Sequence, residues 1–164
     1  MNRFALTAAG IATVSMAGSA MAETVNGFNG LDRWFGEHSW TISGAGGVVA
    51  SMAAGAYTGV SNFSFVSFTS DTSHAYDVTF TMDLAAGDYD VVMNDSYGDG
   101  WQWNSYVGGL YVSGSAVSGG SAGASFPSSA GSGPVSWSFT VIPAPGAMAL
   151  LGLAGLAGRR RRRA

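Results

Sequence analysis

Apolar and polar positions alternate most cleanly at Tyr76, Val78, Phe80 and Met82, interleaved with Asp77, Thr79, Thr81 and Asp83. Side chains two apart share a face in an extended chain, so this segment predicts a strand with one apolar and one wet face. The same period recurs at Val135, Trp137, Phe139 and Val141. Phe63, Phe65 and the segment around Phe68 predict a third strand, and Tyr89, Val91 and Met93 a fourth. Weaker candidates lie at Trp40 and Ile42, at Val48 to Met52, and at Tyr106 to Val112. Clusters of Gly, Asn, Asp and Ser separate these runs, and no amphipathic helix interrupts them. Seven or eight short antiparallel strands within residues 23–142 predict an all-β fold, a β-sandwich with a jelly-roll-like form as one version. Residues 113–134 are Ser-, Gly- and Ala-rich, with Phe126 the one large apolar side chain, and read as a flexible loop or weakly ordered hairpin.

The two ends follow other patterns. Residues 1–22 combine Arg3, an apolar run from Phe4 to Ala17 and small residues at Ala20 and Ala22. That is the three-part order of a secretory signal peptide, with cleavage expected after Ala22. At the other end, Val141 to Gly158 carries no charge and is followed by Arg159, Arg160, Arg161, Arg162 and Arg163. Eighteen such residues approach the length of a membrane-spanning helix. Pro143 and Pro145 suit its entry, and the arginines belong on the cytoplasmic side. Both ends predict that the segment between them is exported.

Charge sharpens this division. The formal net charge of −3 conceals ten acidic side chains between Glu23 and Asp99 against Arg33 alone, a charge of −9 for residues 23–142. Such a surface repels nucleic acid and anionic headgroups and favours cations. The absence of cysteine removes disulfides, thiolate metal sites and a cysteine nucleophile.

The last 22 residues, 143–164, with the apolar turn before them, resemble the PEP-CTERM sorting signal of exopolysaccharide-producing Gram-negative bacteria. The resemblance rests on Pro143-Ala144-Pro145, the apolar stretch Gly146 to Gly158, and the arginine cluster. The N-terminal leader implies passage through the Sec translocon and its removal by signal peptidase, and the resemblance of the tail implies an inner-membrane intermediate. An exosortase then cleaves near the proline motif, and the protein reaches the cell surface or the extracellular matrix. The family motif usually carries Glu where this chain has Ala144. A plain membrane anchor through the C-terminal helix is the alternative.

Residues 38–142 also resemble a module of secreted marine bacterial proteins, through Gly87 and Tyr89 followed by Asp95-Ser-Tyr-Gly-Asp-Gly-Trp101. That likeness implies fold and location rather than an activity. Asp95, Tyr97 and Asp99 before Gly100 repeat the opening spacing of a calcium loop. Asp95, Asp99 and Asn94 are thus candidate Ca2+ ligands, with Asn104, Asp88 and Asp90 as further donors. The alternative is a turn in which the aspartates cap backbone amides and the glycines supply positive φ. Trp101, Trp103 and Tyr106 form a candidate stacking platform for polysaccharide, or else fold back over the end of the sandwich. Glu37-His38 reads as a solvated turn. Gly119-Gly-Ser121-Ala-Gly123 formally matches a nucleophile elbow, but lies in a Ser/Gly tract without a strand and helix around it. With His38 and His74 the only histidines, no enzymatic activity is expected.

Overall fold

A computed structural model describes residues 21–67, 75–144 and 146. The expected signal peptide (apart from Met21 and Ala22), Phe68, His74, Pro145, the apolar part of the tail after Gly146 and the arginine cluster lie outside them. Among the described residues no helix is long and apolar enough to cross a membrane.

Among the described residues twelve strands follow one another: β1 (Ala22–Leu31), β2 (His38–Gly44), β3 (Gly47–Ala53), β4 (Ala56–Thr58), β5 (Ser61–Ser67) and β6 (Tyr76–Ala85), then β7 (Gly87–Asp95), β8 (Gln102–Trp103), β9 (Tyr106–Val107), β10 (Gly109–Ser113), β11 (Ser121–Ser125) and β12 (Val135–Val141). They form two antiparallel five-stranded sheets, β11-β10-β1-β6-β5 and β12-β7-β2-β3-β4, with β8-β9 a separate hairpin. The inward faces of both sheets share one apolar core, the arrangement of a β-sandwich. Val78, Phe80, Met82 and Leu84 enter it from β6, Tyr89, Val91 and Met93 from β7, and Trp40 and Ile42 from β2.

The central strand β1 was not legible in the alternation. Its inward positions are Val25, Gly27, Asn29 and Leu31, so two of four lack an apolar side chain, while Phe28 faces outward. Each exception has a cause. Gly27 pairs with Phe80, and a Cβ at Gly27 would fall inside that aromatic ring. Asn29 is buried with both polar atoms of its side chain partnered: its carbonyl accepts from Trp40 Nε1 at 2.9 Å and Tyr57 Oη at 2.7 Å, and its amide donates to Gly109 O at 3.0 Å. One side chain therefore joins β1, β2, β4 and β10. Buried polar groups satisfied in this way fix register more than they add stability.

Of the two readings of 113–134, the flexible loop is corrected and the hairpin is the nearer one, since β10 and β11 pair antiparallel. Ser121–Ser125 forms β11 in register with β10, Phe126 is fully buried, and Ala116 and Val117 in the connection between the two strands are buried as well. Small residues hide the strand in the sequence, and they are required there: a Cβ at Gly123 would collide with the Tyr111 ring.

Candidate functional site

The site lies where β1 ends, β2 begins and β7 ends. After Leu31 the chain turns through Asp32, whose Oδ1 accepts the Trp34 N–H at 2.8 Å. The same oxygen lies 3.2 Å from His38 Nε2, and both side chains are about 2 % exposed or less. Glu37-His38 is thus not a solvated turn on its second member: His38 is a core residue. Burial pushes the Asp32 carboxyl up to about 6 against the pull of the Trp34 amide, and Asp99, Asp95 and Glu37 add to the rise. Burial drives His38 down to about 4 although Asp95 favours its cation. At neutral pH the pair is a neutral imidazole donating from Nε2 to a carboxylate. His38 Nδ1 has no hydrogen-bond partner. The ring stacks on Trp101 at 4.7 Å, and Trp101 in turn on Phe126 at 5.5 Å.

From β7, Asp95 folds the following loop onto itself. Its Oδ1 accepts the Tyr97 N–H at 3.1 Å and its Oδ2 the Gly100 N–H at 2.6 Å. Gly98 and Gly100 have φ of 93° and 85°. Any side chain at Gly100 would also run into the backbone of Pro127 and Ser128. The loop is held to the turn after β1 by Ser96 N–H donating to Glu37 O at 3.0 Å.

These connections bring together residues that are distant in sequence. One carboxylate oxygen from each of Glu37, Asp95 and Asp99 lies within 4.8 Å of the others. Burial, then Asp99 and Asp95, raises the Glu37 carboxyl. Above them, Trp34, Glu37, Tyr97, Asp99 and Trp103 line an open cleft of about 310 Å³. The Trp34 and Trp103 rings meet edge to face at 4.5 Å, 41 % and 36 % exposed, and the Arg33 guanidinium carbon sits 5.5 Å from the Trp34 ring. Large half-exposed aromatics beside acceptor oxygens can stack against an apolar ring face while carboxylates accept from its hydroxyls.

The candidate residues separate accordingly. Of the aromatic platform, only Trp103 opens to the cleft. Trp101 is completely buried and bonds Asn94 O through its indole N–H at 3.2 Å, so it cannot stack on a ligand. Tyr106 is half-buried, with its hydroxyl over the space that a Cβ at Gly30 would take. Among the candidate metal ligands, Asp95 and Asp99 converge. Asn94 does not join them, because consecutive residues of a strand point to opposite faces. For the same reason Asp88 and Asp90, exposed on the outer face of β7, lie apart, and Asp88 accepts from Thr140 Oγ1. Asp95 spends both oxygens on its own loop, the capping role rather than an EF-hand one. Glu37, Trp34 and Tyr97 complete the site, and spacing could not find Glu37 or Trp34, which lie some sixty residues before the loop they join. Ser121 opens an edge strand, so the elbow geometry of a nucleophile is not formed.

Comparison with models of protein families, with curated proteins and with solved structures finds no match to this chain.

Proposed function

We propose that this chain is an exported cell-surface or extracellular-matrix protein that acts by binding, without catalysis, and that its cleft takes a segment of extracellular polysaccharide. The observation that carries the binding part is the half-exposed Trp34–Trp103 pair at the lip of an acid-lined cleft. The export part rests on residues 1–22 and on the Pro-Ala-Pro, apolar and arginine order of the tail, and exosortase sorting on the tail's resemblance. A glycan array tests the first. Binding that falls tenfold or more in Trp34→Ala and Trp103→Ala, but not in Tyr111→Ala on the outer face of β10, is the expected outcome, about 1.4 kcal/mol or more of lost affinity. An array with no response refutes the glycan reading. Mass spectrometry of the released protein tests the second, with termini expected at Glu23 and near Pro143; an intact arginine tail favours a permanent membrane anchor.

A second reading has its own observation in the convergence of Glu37, Asp95 and Asp99. There, Ca2+ draws the three carboxylates together and stiffens a structural or adhesive module. Calcium raising the melting temperature and EDTA lowering it supports this reading; identical curves dismiss it.

A further inference from the structure

Among the described residues, none pairs with the free side of the lateral edge formed by β4 and β5. Phe65 pairs with Val78, a fully buried inward residue, so Phe65 and Phe63 belong to the core face of their sheet. β4, the edge of the facing sheet, is three residues long against seven for β5. It reaches Phe63 through Tyr57 at 5.0 Å and leaves the rest uncovered. Phe63 and Phe65 are consequently 48 % and 50 % exposed, and Val66 on the opposite face 50 %. The rings form a continuous stripe, Phe63 to Phe65 at 6.4 Å and Phe65 to Tyr76 at 4.6 Å. A bulge with Asn62 at φ 50° twists the start of β5, but Ser64–Ser67 pairs regularly and carries neither the lysine nor the proline that usually blunts a free edge.

Charge identifies the occupant. From His38 to Ser67, which supplies β2 to β5, there is no Asp, Glu, Lys or Arg. The acids of the described residues sit on β1, β6, β7 and the loops at the cleft. Two copies of so acidic a domain repel each other across those central strands, and a basic partner is drawn to them. An uncharged strand former is what the β5 edge accepts, and β5 itself is one. We infer that the β5 edge docks a second copy of this chain, β5 pairing antiparallel with its symmetry mate about a two-fold axis near its middle. The pair makes one ten-stranded sheet from two five-stranded ones and covers Phe63 and Phe65 of both copies. This inference does not depend on what the cleft binds.

Ser64 provides the test, since it is exposed, faces away from the core and pairs with the uncharged Thr79. The full-length chain is followed by analytical ultracentrifugation from about 1 to 200 µM, with Ser64→Glu and Ser64→Lys beside it. A concentration-dependent dimer is expected, weakened at least tenfold in either variant by like charges near the axis and recovered as a one-to-one heterodimer when the two variants are mixed. Amide exchange in β5 is expected to slow as concentration rises. A wild-type monomer throughout, a dimer indifferent to both variants, or β5 amides equally protected in the dilute monomer would each overturn the inference; the last would mean that another part of the chain covers the edge.

Discussion

The two lateral edges of the sandwich are built in opposite ways. On one side β12 is covered by the segment after β10: Ser118 N–H donates to Thr140 O at 2.9 Å and Ile142 N–H to Ala116 O at 2.8 Å, with Val117 bridging Val141. At the cleft end of the sandwich the rings of His38, Trp101 and Phe126 stack in series. On the other side, among the described residues, β5 has a neighbour on one flank only and leaves its aromatics half in solvent. The first edge spends its apolar surface within the chain, and the second keeps it available to something else. Residue type alone does not distinguish them, since both are uncharged. What differs is whether a nearby segment returns to satisfy the free backbone groups.

Substitutions should separate the two edges by size of effect. Phe126→Ala is expected to destabilise the most, by about 3 to 5 kcal/mol in urea unfolding, because it opens a cavity against the Trp101 ring in the interior. Asn29→Ala comes next, at about 3 kcal/mol, since it strands Trp40 Nε1, Tyr57 Oη and Gly109 O in the interior.

The third effect depends on pH and belongs to the end of the ring stack. Folded Asp32 holds its proton more tightly than the unfolded chain, so its contribution to stability is lost as pH rises from about 4 to about 6. Folded His38 holds its proton more weakly, so its contribution is lost as pH falls from about 6.5 to about 4. In the native protein the two slopes oppose each other over nearly the same range. Asp32→Asn removes one of them. That variant is expected to lose on the order of 2 kcal/mol between pH 6.5 and 4 in denaturant titrations, while the native protein changes less. An equal slope in both would refute the assignment. Smallest of all, Phe63→Ser on the open edge should cost under about 1 kcal/mol, because a half-exposed ring has little burial to lose. A cost near that of Phe126→Ala would mean that the edge is closed in solution.

The same contrast explains what could be read from the sequence. β6 and β12 were legible because their inward positions are apolar and their outward ones polar. β1 escaped because its inward Gly27 and Asn29 serve the packing of Phe80 and a polar hub, neither of which leaves a periodic trace. β11 escaped because a strand crowded by Tyr111 must be made of small residues, and small residues read as loop. At the site, the spacing of Asp95 and Asp99 pointed to a loop that the fold brings to the cleft. It could not say that Trp101 turns inward, which depends on His38 and Phe126 being there to receive it, nor that β1 and β2 deliver Trp34 and Glu37.

One contact at the far end of the molecule has a mechanical meaning. Glu23 Oε1 accepts the Ala144 N–H at 2.8 Å, so the chain enters β1 and leaves β12 side by side. The cleft lies at the opposite pole, a β1 length of about 30 Å away. A domain tethered through either end therefore holds its cleft outward, away from the attachment surface. Two copies joined through antiparallel β5 strands point their tethers in opposite directions, so a pair bridges two surfaces rather than forming within one.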